Sequence, residues 1–245
     1  MREQFIRTEL LFGKENMDKL RKSKVAVFGV GGVGSYTSEA LARSGLGSIV
    51  LVDYDIIDVS NINRQIHANL KTIGQPKVKI MRDRLLEINP SINIEIIDKA
   101  YTEEDKEKFL SLDYDYVVDA IDMVSSKLSL IENCKLINIP IISCMGAGNK
   151  LDPTMFQVGD IYDTDTCPLA KIMRKELRKR GIDNLKVVWS REKPIKTSLQ
   201  RKDVRKSIPG SVSFVPSVAG LILASQVIKD LIFGGEFHGT NRICT

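Results

Sequence analysis

Short apolar blocks punctuate the first two-thirds of the chain, each ending at glycine or aspartate. Lys24-Val-Ala-Val-Phe28 stops at a glycine cluster and Ser48-Ile-Val-Leu-Val52 closes at Asp53, while Ile92–Ile97, Tyr114–Asp119 and Pro140–Met145 repeat the pattern. Such near-continuous apolar runs predict strands buried on both faces, as in parallel sheets. Between them lie segments of helical period. Val33–Ser44 ends at Gly45 and Gly47, and Pro76–Ile88 has Pro76 in its first turn and Pro90 beyond its end. Thr102–Leu110, with an acidic first turn, and Val124–Leu136 complete the set. Strands alternating with helices predict an α/β fold with a doubly wound, Rossmann-like sheet. An apolar N-terminal segment, Phe5–Leu20, breaks at Gly13.

After residue 150 the texture changes. A strand near Phe156, a basic helix over Pro168–Arg180, a strand at Lys186–Ser190, a polar loop and an apolar helix over Val218–Phe233 are predicted. Residues 1–150 therefore read as the Rossmann-like half, and residues 151–245 as a smaller C-terminal α+β extension of the same domain.

The chain has 245 residues, 43% hydrophobic and 27% charged, which excludes a disordered or collagen-like protein. The stretch from Phe214 to Phe233 is the nearest to a membrane span, but Ser217, Ser225, Gln226, Lys229 and Asp230 interrupt it, so it reads as a buried helix. No apolar leader follows Met1, and a cytoplasmic protein with no membrane partner is expected. Cys134, Cys144, Cys167 and Cys244 form no C-x-x-C pair, which indicates neither a zinc ribbon nor a disulfide framework. The net charge of +5 is uneven: Lys171–Lys206 holds 14 Lys/Arg against 4 Asp/Glu, leaving 22 against 27 elsewhere. That concentration suggests a surface for an anionic partner.

Gly29-Val-Gly31-Gly32-Val-Gly34 follows a strand and opens a helix. Glycines there let the backbone approach a phosphate, and the helix N-terminus offers free N–H donors. Asp53 ends the next strand, where a carboxylate can take ribose hydroxyls. The loop alone leaves a redox dinucleotide and ATP both open. Three further sets favour ATP: Asn61-Ile-Asn63-Arg64-Gln65, Gly74-Gln-Pro-Lys77 and Asp119-Ala-Ile-Asp122. Cleavage between the α and β phosphates builds negative charge that cations must meet, whereas hydride transfer has little use for them.

On these motifs, with Asp53 and Asp55, the chain resembles the ubiquitin-activating-enzyme-like adenylyltransferases from about Phe5 to Phe233. The resemblance implies ATP binding by Gly29, Gly31, Gly32, Gly34, Asp53, Asp55, Asn61, Asn63, Arg64, Gln65, Lys77 and Asp122. Gly31 and Gly32 would lie against the phosphates, Arg64 and Lys77 would neutralise them, and Asp122 would bind Mg2+. Arg7 would reach the ATP of the other subunit of a homodimer, so Arg7, Arg64, Lys77 and Asp122 form the implied catalytic set.

The second half resembles one branch, the tRNA threonylcarbamoyladenosine dehydratases, through Gly146-Ala-Gly148 with Asp152-Pro-Thr154, the Pro168-Leu-Ala170 helix, Ser190-Arg-Glu-Lys-Pro194 and Pro209–Pro216. That branch implies ATP-dependent cyclisation of N6-threonylcarbamoyladenosine at position 37 of tRNA through an acyl-adenylate. The basic positions Lys171, Arg174, Lys175, Arg178, Lys179, Arg180, Arg191 and Lys193 would then dock tRNA phosphates. A sulfur-relay protein is admitted as a partner, and the Gly146–Gly148 turn leaves room for a monovalent cation (Na+ or K+). The alternative is an adenylyltransferase acting on the C-terminal glycine of a ubiquitin-like sulfur carrier. Two features weigh against it: the C-x-x-C pairs common in those proteins are absent, and Cys167 is the lone cysteine of its region. Trp189 and Phe214 are aromatic candidates for base stacking, and His67 follows the Arg64 loop.

Overall fold

A computed structural model describes residues 3–110, 113–196 and 209–234. The basic loop beyond residue 196, His238 and Cys244 lie outside them. Seven strands form one sheet in the order β3-β2-β1-β4-β5-β7-β6. They are β1 (Lys24–Phe28), β2 (Ser48–Val52), β3 (Asn93–Ile97), β4 (Tyr116–Asp119), β5 (Ile141–Cys144), β6 (Phe156–Asp160) and β7 (Lys186–Ser190). All neighbours run parallel except β6, which pairs antiparallel with β7. The helices are α1 (Ile6–Phe12), α2 (Lys14–Lys22), α3 (Gly34–Arg43), α4 (Lys77–Ile88), α5 (Lys106–Leu110), α6 (Val124–Leu136), α7 (Pro168–Lys179) and α8 (Phe214–Phe233).

Alternation along β1 divides the core in two. Val25 and Val27 face a cluster with α2, α3, α4 and α8, whereas Ala26 and Phe28 face one with α5, α6 and α7. The doubly wound Rossmann-like sheet is thus confirmed, and its strand order reverses direction between β1 and β4. Ligands of such sheets bind beyond the strand C-termini at that switch point.

Two predicted helices change length. The segment from Thr102 shortens to Lys106–Leu110, because the Glu103 carboxylate accepts from Asn133 Nδ2 (3.1 Å) and Lys106 Nζ (2.6 Å) rather than capping a helix. The last helix starts four residues early, at Phe214. Pro216 sits in its first turn, where a missing N–H costs nothing. Helix α8 alone among the described helices has the length and apolarity to cross a membrane, yet more than half of that stretch is buried inside the protein. It lies on α3 so closely that Thr37 Oγ1 donates to Gly220 O at 3.0 Å, and a Cβ on Gly220 would stand 2.3 Å from Val33 O. Gly220→Ala is therefore expected to force the helices apart at a cost of about 1–3 kcal/mol, read as a lower urea midpoint at unchanged slope.

Candidate active site

The loops beyond the C-termini of β1, β2, β3, β4 and β5 surround one cavity of about 740 Å³, within the range of small-molecule sites. The glycine loop forms its floor. Gly29 (φ 88°) packs where a Cβ would meet Ala120 O at 2.6 Å, and Gly34 where one would meet Gly29 O at 1.8 Å. Only glycine fits either contact, and together they seat the start of α3 against the end of β4.

Asp53 fixes this loop to the end of β2. Its carboxylate accepts from Val30 N at 2.6 Å and from Asp55 N at 2.9 Å. Burial lifts the Asp53 carboxyl above its ordinary value, against the opposing pull of Lys77 and these two N–H groups. The Gly74–Lys77 segment returns alongside residues 55–57: Gly74 N donates to Ile57 O, Ile57 N to Gln75 O and Lys77 N to Asp55 O, at 2.8–3.0 Å. This places Lys77, nearly buried, in an ion pair with Asp55 at 2.6 Å. Arg64 lays its aliphatic stem over Gly32 and donates from Nη1 to Ser60 O and Asn63 Oδ1, both at 2.9 Å. The exposed Asp122 carboxylate reaches the cavity wall without a hydrogen bond or ion pair among the described residues.

Of the twelve residues expected to bind nucleotide, ten line this cavity: Gly29, Gly31, Gly32, Asp53, Asp55, Asn61, Arg64, Gln65, Lys77 and Asp122. Gly34 is spent on packing and Asn63 on Ser211, donating from Nδ2 to its carbonyl at 2.9 Å. Arg7 is exposed on α1 and does not line the cavity of its own chain.

The basic surface is smaller than the charge count suggests. Arg174 donates to Thr164 O at 2.7 Å; Lys179 and Arg180 pair with Glu176, Arg180 also with Glu132; and Arg191 pairs with Asp165 at 3.3 Å. Arg178 stacks over Tyr162 at 4.9 Å. Lys171, Lys175 and Lys193 are exposed and make no ion pair among the described residues. Lys171, Lys175 and Arg178 share one helical face. Trp189 belongs to the core, whereas Phe214 is half exposed.

Sequence reasoning missed several parts of the site. Residues 99–102, Met123, Ser126 and Lys150 line the cavity, and so do Cys167, Pro168 and Leu169, which the sequence marks only as a lone cysteine and a helix start. The rule that loops beyond parallel strands hold ligands would have nominated those following β3 and β5. Also missed was a fully buried ion pair, Lys127 Nζ to Asp119 Oδ2 at 2.7 Å, completed by donation from Lys127 to Ser143 Oγ and Cys144 O at 3.0 Å each. The signal was a lysine on the apolar face of its helix, beside Leu128 and Ile131.

The glycine-loop cavity, with its acidic and basic residues, defines a nucleotide-binding α/β protein. The sequence matches the ThiF family over residues 5–243, and the chain belongs to that family. It is 48% identical to a tRNA threonylcarbamoyladenosine dehydratase of Bacillus subtilis (strain 168), covering 95% of this chain and 96% of that protein. The fold is similar to that of the Escherichia coli tRNA N6-threonylcarbamoyladenosine dehydratase TcdA in complex with ATP (TM-score 0.88, 32% identity, 97% of both chains). Similarity to a molybdopterin-synthase adenylyltransferase of Salmonella typhimurium is narrower, 36% identity over 58% of this chain and 55% of that protein.

His67 is 2% exposed, with both ring nitrogens unpartnered among the described residues, and does not line the cavity. Burial, reinforced by Lys77 and Arg84, pulls its pKa down to about 4. Between that value and the unfolded value near 6.5 the unfolded chain binds the extra proton, so this residue's contribution is full above about pH 6.5 and is lost as pH falls toward 4. His67→Gln should therefore flatten the fall of unfolding free energy between pH 6.5 and 5 by up to about 1.4 kcal/mol per pH unit, measured by urea titration of both proteins.

Proposed function

We propose that the protein is an ATP-dependent tRNA threonylcarbamoyladenosine dehydratase. The observation that carries this reading is the convergence of the glycine loop, Asp53, Arg64, Lys77 and Asp122 on one cavity. The high identity to a dehydratase over nearly the whole of both chains supports the choice of substrate. Residues 1–150 would bind ATP and residues 151–245 would dock tRNA, in the cytoplasm.

In this reading Asp53 receives the ribose, while Gly31 and Gly32 and the N-terminal dipole of α3 receive the phosphates. Arg64 stands beside them. Lys77 meets the departing pyrophosphate by turning from Asp55, a short movement between two anions. Mg2+ fits here as an ion that arrives with the nucleotide. Asp122 offers one unengaged carboxylate, and the described residues contain no group of three or more acidic, His or Cys ligands that would hold a metal alone. Such single-carboxylate sites are usual for Mg2+ on phosphates; when bound, it would spread the charge that builds at phosphorus.

The substrate carboxylate attacks the α-phosphorus and pyrophosphate leaves. The carbamoyl group of the same molecule then attacks the activated carbonyl, a proton is released and AMP departs. Holding both partners in one molecule lowers the second barrier by up to about 7–11 kcal/mol in favourable geometries. No enzyme nucleophile is needed.

A homodimer is part of the proposal. Helix α1 exposes Leu10 and Leu11, each 79% accessible, and Ile6 beside Arg7, an apolar face suited to a second copy of the chain. Lys171, Lys175 and Arg178 would meet tRNA phosphates. A ubiquitin-like carrier as substrate finds weaker support, because the adenylyltransferase similarity spans little more than half of either chain.

The test is release of AMP from ATP with tRNA that carries threonylcarbamoyladenosine and with the same tRNA lacking it. AMP and loss of one water from the nucleoside are expected only with the modified tRNA; no response to either would overturn the reading. Asp122→Ala should lower the rate by about 100-fold or more while leaving tRNA binding unchanged.

A further inference from the structure

One end of the cavity carries positive charge that the phosphate-facing residues do not explain. Lys150 follows β5 and the Gly146–Gly148 turn, and its backbone is held tightly. The preceding Asn149 has φ 57° and is clamped three times: its N–H donates to Gly210 O at 2.7 Å, its Oδ1 accepts from Gly210 N at 2.6 Å, and its O accepts from Ile195 N at 2.8 Å. On the other side the Glu192 carboxylate accepts from Leu151 N and Asp152 N, both at 2.9 Å. Lys150 is among the residues lining the cavity and is 3% exposed. Its ammonium donates once, to Glu192 O at 2.5 Å. No carboxylate of the described residues makes an ion pair with it: that of Glu192, which accepts from the two backbone N–H groups, attracts it from beyond ion-pair distance.

The start of α7 lines the same end of the cavity. Pro168 at its first position has no N–H, and no side-chain bond caps the turn, so the first-turn amides and the positive dipole end are left for another acceptor. Cys167 Sγ lies 3.5 Å from where a Cβ on Gly146 would be, which sets the start of α7 beside the turn that leads to Lys150. An ammonium carries three donors and Lys150 uses one of them among the described residues, so its burial costs free energy until a ligand takes up the others. The group that fits is an anionic or strongly polarised oxygen.

We propose that Lys150, together with the first-turn amides of α7, forms the subsite for the acyl oxygen of the substrate. The inference rests on the dehydratase reading and specifies where the reacting carboxylate lies. Before activation Lys150 binds one carboxylate oxygen while the other attacks the α-phosphorus, forming the C–O–P bridge and expelling pyrophosphate. After activation the oxygen at Lys150 is the carbonyl oxygen. It takes up negative charge as the carbamoyl group attacks the carbon, and it re-forms the double bond as the C–O bond to AMP breaks and the attacking group releases its proton. Lys150 donates hydrogen bonds throughout and stays protonated. Burial holds its ammonium below the usual lysine range, against the pull of Glu192.

Lys150→Met, which keeps the side-chain length, isolates the charge. With modified tRNA and ATP, the variant should lose about 100-fold in kcat, with ATP-analogue affinity within twofold of wild type. Lys150→Arg should recover much of that loss. Binding of an adenosine acyl-sulfamate carrying the N-carbamoylthreonyl group, against the sulfamate lacking the acyl group, gives a readout without turnover. The acyl group should add about tenfold in affinity to wild type and nothing to Lys150→Met. A kcat within threefold of wild type would overturn the subsite, as would an acyl advantage unchanged in the variant or an equal loss of ATP affinity. Were wild type itself inactive on modified tRNA, the dehydratase reading would fall first and the subsite with it.

Discussion

The ion pair between Lys127 and Asp119 holds together the walls on which the site is built. Neither side chain is exposed. A buried pair gains little net stability, but removing one partner leaves a bare charge at a cost of about 3–5 kcal/mol. The return is geometric. Lys127 reaches from α6 to the end of β4 through Asp119 and to the end of β5 through Ser143 Oγ and Cys144 O. Asp119 Oδ1 accepts from Ile121 N at 3.1 Å, which sets the turn carrying Asp122. Ala120 in that turn is the surface against which Gly29 packs. The glycine loop, the candidate Mg2+ carboxylate and the Gly146–Lys150 segment therefore take their positions from one buried contact.

Charge on the nucleotide side is arranged as a relay. Asp53 ties Val30 to Asp55, and Asp55 holds Lys77, so the resting protein neutralises this lysine internally and need not bury it bare. In the proposed reading, a phosphate entering the cavity would exchange one anion for another at Lys77 and leave Asp55 at the exposed rim. On the β5 side Lys150 rests instead on a backbone carbonyl, that of Glu192. The two halves of the cavity thus differ in how they await substrate, a difference suited to a nucleotide on one side and a single oxygen on the other.

Much of this was legible in the sequence, for identifiable reasons. β1, β2, β7 and α6 occupy the ranges predicted from apolar blocks and helical period, because each is bounded by glycine, aspartate or a polar turn. Ten of the twelve residues expected to bind nucleotide converge on the cavity because the motifs follow strand ends. Tertiary capture was not legible: Glu103 is taken by Asn133 and Lys106, Arg174 by Thr164, and Lys179 and Arg180 by Glu176. A count of charges cannot reveal which are already spent. Lys150 escaped notice because its placement depends on Glu192, which its own ammonium meets, and on Gly210, which holds Asn149, both far along the chain.

The central claim is that the cavity joins a substrate carboxylate to the α-phosphorus of ATP. It is tested most directly by labelling both oxygens of the threonylcarbamoyl carboxylate in tRNA with heavy oxygen and following the label through a single turnover. An acyl-adenylate leaves one labelled oxygen in each AMP and none in pyrophosphate. Label absent from AMP, or present in inorganic phosphate, would contradict the account.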